Sequence, residues 1–131
     1  MTRKQYVFSI SYPEFGWWEF YLRVLDRLDS LIADMGQCPN IEADGVELGE
    51  YKPGSSLMEA LERAQRSPVR HNIFGILKDE GVQVINGYFE IQSPKPGNAS
   101  FSVEFVDSTS VEFGSQEPGV ISKIVQSVTR E

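Results

Sequence analysis

Cysteine and histidine are almost absent from this sequence, which contains only Cys38 and His71. A single cysteine cannot form an internal disulfide, so nothing ties the fold to an oxidising compartment. A zinc site needs three or four Cys, His or carboxylate ligands, and two residues at unrelated positions fall short of that number. No local signature supports a catalytic Cys–His pair either. We therefore predict no metal site and no thiol nucleophile.

Long hydrophobic runs and known catalytic motifs are also missing. No apolar stretch approaches the roughly 20 residues of a membrane-spanning helix, and the N-terminus lacks the pattern of a secretory signal. The glycine-rich phosphate-binding patterns and the G-x-S-x-G motif of hydrolases are absent too. These absences predict a cytoplasmic protein that has no cofactor and is not an enzyme.

Acidic charge is what the sequence has in excess. Its 131 residues, 40% of them apolar, are typical of one globular domain. The net charge is −7, and residues 14–50, with nine acidic and two basic side chains, account for all of it. Such a field repels nucleic acid and anionic membranes and attracts basic proteins. The alternative is that the charge only keeps the protein soluble.

The first half of the chain predicts a strand, a long helix and a loop. Residues 5–11 alternate like a strand, with apolar residues that suit burial on both faces. Residues 36–53 are rich in glycine, proline and acids, which predicts an irregular segment with a tight turn at residues 43–45. Between them a helix is predicted from Trp17 to a capping Gly36, with apolar residues at helical spacing: Trp17, Tyr21, Val24, Leu25, Leu28, Leu31, Ile32 and Met35.

A second helix and a hairpin are predicted next. Ser56 and Glu59 have the spacing of a capping box, and the helix that they begin ends near Arg66. Residues 78–81 are typical of a four-residue hairpin loop, and Asn86-Gly87 is typical of a two-residue one. Because two turns would leave a strand of about four residues, we favour the first turn, with a bulge at Asn86-Gly87.

The remaining elements complete an α+β domain. Alternation and helical spacing predict strands at 101–105 and 110–113 and a closing helix at 120–128. We therefore predict a single domain over residues 1–131. It is a mainly antiparallel sheet packed against a long N-terminal helix, a short second helix and a C-terminal helix.

Two adjacent tryptophans begin the long helix. Neighbouring helical residues point about 100° apart, so we do not expect both indoles to be equally buried. Trp17 shares the apolar stripe and is predicted to lie inside. Trp18 lies at the edge of the stripe beside acids, as contact anchors do, unless helix two or the acidic loop covers it. The predicted partner-binding residues are Trp18, Asp26, Asp29, Glu42, Asp44, Glu47 and Glu50.

A small basic cluster follows the second helix and consists of Arg63, Arg66, Arg70 and His71. Arginines near a helix C-terminus complement its dipole and can pair with the acidic segment; anion binding is the alternative. Aromatic residues do not interleave with the cluster as they do in RNA-binding sheets, so we expect no nucleic-acid partner. A small-ligand-binding domain or small enzyme with a pocket near Arg63, Arg66 and His71 remains an alternative.

The order of elements, with "LGEYKPGSSLMEAL" leading into the second helix and "GILKDEGVQVINGYFEIQ" after it, resembles immunity proteins of bacterial polymorphic-toxin systems. The family it resembles is immunity protein family 52. The resemblance implies a non-enzymatic antidote that binds a cognate toxin, of the nuclease type, in the bacterial cytoplasm and inhibits it. An acidic surface suits this role, because it mimics the phosphates that a nuclease groove binds. A structural component of a phage or secretion assembly is a further alternative.

Overall fold

The computed structural model describes residues 5–35, 39–49, 55–69, 72–93 and 100–130. Five residues named in the predictions above lie outside these ranges: Gly36, Cys38, Glu50, Arg70 and His71. The predicted α+β class is confirmed. Within the described residues the elements run β1 (Tyr6–Ser11), α1 (Trp17–Ala33), β2 (Asn40–Leu48), α2 (Ser55–Arg66), α3 (Ile73–Glu80), β3 (Val84–Gln92), β4 (Phe101–Val106), β5 (Ser110–Ser115) and α4 (Pro118–Thr129).

The strands form one antiparallel sheet in the order β1-β5-β4-β3-β2. Alternate side chains point to opposite faces of a sheet, and on one face they pack with the helices. Phe89, Val103 and Phe113 lie side by side across β3, β4 and β5 and are fully buried in this single core. We call the other side the uncovered face, because none of the described helices packs on it. Its residues include Ser9, Glu42, Asp44, Tyr88, Glu90, Ser102, Glu104, Glu112 and Gly114.

Helix α1 forms because its apolar residues recur at helical spacing and face the sheet. Its buried residues are Phe20, Tyr21, Val24, Leu25, Leu28 and Ile32, close to the predicted stripe. The fully buried Tyr21 also binds the backbone where β3 begins. Its hydroxyl donates to the Val82 carbonyl at 2.6 Å and accepts from the Val84 amide at 2.9 Å. Tyr21 thus fixes the helix against the centre of the sheet.

The predicted hairpin loop at residues 78–81 is wrong, because these residues end a helix. Helix α3 begins after Asn72, whose side chain accepts a hydrogen bond from the Gly75 amide at 3.4 Å. It ends at Gly81, which adopts a left-handed conformation with φ 64°. Gly81 therefore caps a helix rather than turning a hairpin, as glycine commonly does. The apolar residues before Gly81 form the buried face of the helix, which consists of Ile73, Phe74 and Leu77.

The acidic segment predicted to be irregular is also different, since it contains strand β2. Ile41 and Ala43 are buried at alternate positions, and Ile41 exchanges backbone hydrogen bonds of 2.8 and 2.9 Å with Val69. The predicted turn at 43–45 is an irregularity inside this strand. Gly45 has φ 61°, and the pairing of β2 with β3 shifts register just beyond Asp44. Acidic residues two positions apart thus lie on the same face of an edge strand.

Strand β1 lies at the opposite edge, and its predicted burial on both faces is wrong. It pairs with β5, and most of its side chains are exposed. Strand β3 passes through Asn86-Gly87 without a hairpin, and its pairing with β2 is irregular there, as the bulge interpretation predicts. The predicted second helix, the strand at 101–105 and the C-terminal helix are confirmed.

Candidate functional site

Acidic side chains are concentrated on the uncovered face of the sheet. Strand alternation sends the apolar residues of β2 to β5 into the core, and it sends the residues between them outward. The outward residues include carboxylates on four neighbouring strands: Glu42 and Asp44 on β2, Glu90 on β3, Glu104 on β4 and Glu112 on β5. Residues far apart in sequence thus form one acidic surface.

Like charges lie directly opposite one another on this surface. Glu42 pairs with Glu90 across β2 and β3, and Glu104 pairs with Glu112 across β4 and β5. Side chains in such positions have Cβ atoms about 4.5–5.5 Å apart, and two like charges there are destabilising. None of the ion pairs among the described residues includes one of these carboxylates. The face therefore carries repulsion that its described surroundings do not neutralise.

Tyr88 lies at the centre of this surface. Partial burial raises the pKa of its hydroxyl above the ordinary value, and the carboxylates of Glu90, Glu104 and Glu42 act in the same direction. A hydrogen bond with Ser102 acts in the opposite direction. A half-buried aromatic ring with carboxylates around it favours the binding of a cation. The ring face contributes a cation–π contact, and the carboxylates contribute their negative charge.

A polar recess of about 530 Å³ opens beside Tyr88. Gln5 lies across it and donates a hydrogen bond to the Ser102 hydroxyl at 3.3 Å. Gly114 permits this approach, because a Cβ atom at that position would lie 2.6 Å from the Ser102 hydroxyl oxygen. Glu90 also lines the recess, so its walls offer hydrogen-bond acceptors and negative charge. It has room for the end of one long basic side chain.

The structure divides the predicted partner-binding residues into separate groups. Glu42 and Asp44 belong to the uncovered face, and the exposed Glu47 pairs with Asn86 on the same strand edge. Asp26 and Asp29 lie on α1, among the helices. The predicted role of Glu50 concerns a residue outside the described ranges. Only part of the predicted set therefore forms one surface.

Asp26 and Asp29 have partners within the chain. Lys78 of α3 places its Nζ atom 3.1 Å from Asp26 and 3.3 Å from Asp29, and these two contacts raise its pKa above the ordinary value. Arg27 also pairs with Asp26 at 3.0 Å. Asn72 donates a further hydrogen bond to Asp29. These two acids join α1 to α3, and their predicted part in partner binding stays a prediction.

The predicted burial of the two tryptophans is wrong, whereas the predicted part of Trp18 in partner binding stays a prediction. Trp17 is 38% exposed, whereas Trp18 is half-buried and its ring lies 5.4 Å from that of Tyr21. Trp17 has the helical phase of the stripe, but it is the first residue of α1 and lies near the turn after β4, beyond the end of the core. Beside it, Phe15 is 88% exposed. The open aromatic residues are thus Phe15 and Trp17.

The alternative pocket near the basic cluster stays a prediction, because Arg70 and His71 lie outside the described residues. Arg63 and Arg66 are exposed in the last turn of α2, and neither lines the recess beside Tyr88. Over the described residues, no group of three or more His, Cys, Asp or Glu side chains is placed to hold a metal ion. No described helix has the length and apolar character needed to cross a bilayer.

Sequence reasoning missed Tyr88, Glu90, Glu104 and Glu112. The signal was present, because "YFEIQ", "SFSVEFV" and "SVEF" each place an acid between apolar residues. These acids can be recognised as one surface only when the strand order is known. The sequence predictions gave a loop in place of β2 and a hairpin turn at the end of α3, so the strand order could not be derived. No family model, curated protein or solved structure matches this chain. The resemblance to immunity proteins therefore remains a prediction.

Proposed function

We propose that this protein is a non-enzymatic binding protein whose uncovered face engages a basic protein partner. The observation that carries the proposal is the pair of like-charge contacts, Glu42 with Glu90 and Glu104 with Glu112. Each pair lowers the stability of the isolated sheet. A partner that supplies lysine or arginine side chains would remove this repulsion, so the surface is better suited to a complex than to the free chain.

The recess beside Tyr88 supplies a specific anchor within this surface. An arginine or lysine entering it meets the Tyr88 ring, the Glu90 carboxylate and the polar pair of Gln5 and Ser102. Cation–π contact and charge-assisted hydrogen bonds act together at such a position. The surrounding carboxylates then select for a basic partner and accelerate its association.

Following the resemblance, we propose that the partner is a bacterial toxin of the nuclease type and that the protein inhibits it in the cytoplasm. Nucleases bind phosphates with lysine and arginine side chains, and carboxylates spread over four strands offer several contacts for such a groove. Occupation of the groove would exclude the nucleic acid. Inhibition by this route needs no catalytic residue in the protein itself.

The test compares two variants that carry the same change in net charge. The face variant combines Glu42→Gln, Glu90→Gln, Glu104→Gln and Glu112→Gln. The control variant combines Glu19→Gln, Glu59→Gln, Glu62→Gln and Asp79→Asn, which neutralise exposed acids on α1, α2 and α3. Affinity for the partner that the tagged wild type captures from its native host is measured by calorimetry at two salt concentrations.

We expect the face variant to lose about 100-fold or more in affinity, and the control variant to lose about threefold or less. Wild-type affinity should fall by about tenfold or more between 50 and 300 mM salt. Equal losses of affinity in the two variants would show that binding depends on the net charge of the protein and not on the uncovered face. An unchanged affinity in the face variant would reject the uncovered face as the binding surface.

A structural role in a phage or secretion assembly is the second candidate function. The observation that favours it is the position of β1 at an edge of the sheet, where another strand can be added. Assemblies that grow beyond a dimer as concentration rises, seen by sedimentation velocity, would support this role. A species that never exceeds two copies would exclude open-ended assembly.

A further inference from the structure

Strand β1 is an edge strand that lacks the features that usually protect such edges. It pairs with β5 on one side, and no described residue pairs with its outer side along Val7–Ser11. An exposed edge presents backbone donors and acceptors to any other strand. Natural proteins protect edges with charged side chains, proline or bulges, yet β1 contains none of these.

Apolar side chains on β1 are exposed as well. Val7 is 54% exposed, Phe8 46% and Tyr6 40%, although they are consecutive residues of a regular strand. Apolar residues that project from both sides of one edge are unusual in an isolated domain, where large exposed apolar patches mark interaction sites. These exposed side chains lie on the same strand as the outer edge of Val7–Ser11, along which no described residue pairs.

The other edge of the sheet, β2, is protected in several ways. It carries Glu42, Asp44 and Glu47, it shifts register against β3, and Val69 bridges to Ile41 on its outer side. A second β2 placed against it would bring like carboxylates to the usual strand spacing of about 5 Å. The two edges of one sheet thus differ in kind, and only β1 is suited to pairing.

We propose that β1 pairs antiparallel with β1 of a second copy of this chain, across a two-fold axis perpendicular to the sheet. A pairing centred on Phe8 places Phe8 beside its own copy, and it sets Tyr6 opposite Ile10 and Val7 opposite Ser9. Each of these contacts is between uncharged residues on the same face of the extended sheet. The strand is therefore complementary to itself.

Charge on the uncovered face does not oppose this pairing. On this face, among the described strands, the acid on the strand next to β1 is Glu112 of β5, which pairs with Ser9. Across the two-fold axis, Glu112 and its copy are three strand spacings apart and are displaced by two residues along the strands, which separates them by about 16 Å. This separation exceeds the Debye length of about 8 Å at physiological ionic strength, so their repulsion is largely screened. A basic partner strand, by contrast, would gain little beside an uncharged edge.

The exposed area predicts a reversible dimer rather than a permanent one. A fully buried aromatic side chain covers about 150–250 Å², and Tyr6 and Phe8 have less than half of their surface left to bury. The contact therefore stays below the roughly 1,200–2,000 Å² of stable complexes. We expect a monomer–dimer equilibrium with a dissociation constant on the order of 10 μM.

Sedimentation velocity between 2 μM and 1 mM tests the proposal on the full chain. The disrupting variant is Val7→Lys, which adds a charge to an exposed position on the edge. Ser9→Lys makes the same change two residues on, so a folding defect in one variant leaves the other as a test. The control is Phe15→Lys, which removes a more exposed apolar side chain outside β1. Thermal melts establish that each variant is folded.

We expect the wild type and Phe15→Lys to dimerise alike, and each lysine on β1 to weaken dimerisation by about 30-fold or more. Amide exchange of Val7–Ser11 should slow as the wild-type concentration rises, while exchange in β2 stays unchanged. A wild type that remains monomeric at 1 mM would overturn the proposal. So would a dimer that Val7→Lys and Ser9→Lys leave intact, or one that Phe15→Lys weakens equally.

Discussion

Glu42 and Glu90 lie directly opposite each other on adjacent antiparallel strands, and both project from the uncovered face of the sheet. Their Cβ atoms are about 5 Å apart in this geometry, a distance at which two carboxylates repel. Glu104 and Glu112 repeat the same relationship two strands away. Two like-charge pairs on one surface lower the stability of the free sheet, and the proposed binding of a basic partner would relieve this repulsion.

Removing one charge of such a pair should stabilise the free protein. We expect Glu90→Gln to raise the free energy of unfolding by about 0.3–1 kcal/mol at low salt, and by less at 0.5 M salt, where the repulsion is screened. Urea denaturation measures both values. Glu59→Gln on the exposed side of α2 is the control and should change little. A destabilised Glu90→Gln at both salt concentrations would show that the carboxylate has a favourable contact.

The two tyrosine hydroxyls near the start of β3 should differ in their contribution to stability. Tyr21 exchanges hydrogen bonds with the backbone of Val82 and Val84, so Tyr21→Phe should cost about 1–3 kcal/mol by leaving buried groups unpaired. The buried Tyr12 hydroxyl has no hydrogen-bond partner among the described residues, so Tyr12→Phe should be neutral or stabilising. Urea denaturation of both variants tests this, and the opposite order would contradict it.

Stability should fall in alkaline solution because of these tyrosines. Burial raises the pKa of Tyr12 above its ordinary value of about 10. The folded state then keeps the proton while the unfolded state loses it, so the contribution is complete below about pH 10 and is lost as pH rises above it. Tyr12→Phe should reduce this loss by up to about 1.4 kcal/mol per pH unit. Parallel curves for wild type and variant, from urea denaturation between pH 8 and 11, would refute the assignment.

Substitution of two glycines by alanine distinguishes the cost of an unfavourable backbone conformation from the cost of a steric clash. A Cβ atom added at Gly81 or at Gly119 meets nothing within 4 Å, but only Gly81 has a positive φ, of 64°. Gly81→Ala should therefore lower the free energy of unfolding by about 1 kcal/mol. Gly119→Ala, in the first turn of α4, should leave it unchanged or raise it by about 0.5 kcal/mol. Equal effects in thermal melts would argue against Gly81 as the cap of α3.

The parts of the fold with strong local patterns were predictable from the sequence. Helix α1 repeats apolar residues over four turns, and β4 alternates Phe101, Val103 and Phe105 with polar residues. Both patterns are long enough to decide between a helix and a strand. The α+β class followed from these elements together with α2 and α4.

The shorter elements were not predictable, because their signals have two meanings. A lysine-acid-glycine sequence suits a hairpin loop as well as the end of a helix, and the eight residues of α3 are too few for periodicity to decide. Strand β2 contains Gly45 and acids that are typical of loops, and it is a strand because β3 and Val69 pair with it. Tertiary contacts, which the sequence does not state, decided both: strand pairing for β2 and burial of one face for α3.

The candidate site was predicted only in part for the same reason. Glu42 and Asp44 were identified by the charge of their segment, whereas Glu90, Glu104 and Glu112 join them only through strand order. Trp17 was misplaced because helical phase says which way a side chain points but not where the core ends. The local sequence thus predicted that the surface is negatively charged, whereas the strand order was needed to show which residues belong to it.

Site-specific photo-crosslinking from the centre of the uncovered face tests the central claim most directly. A photoreactive phenylalanine derivative in place of Tyr88 lies beside the recess, and the same derivative in place of the exposed Glu62 on α2 is the control. In the native host we predict one crosslinked basic protein from position 88, none from position 62, and loss of the crosslink in the face variant background. A partner that crosslinks from position 62 and not from position 88 would contradict the account.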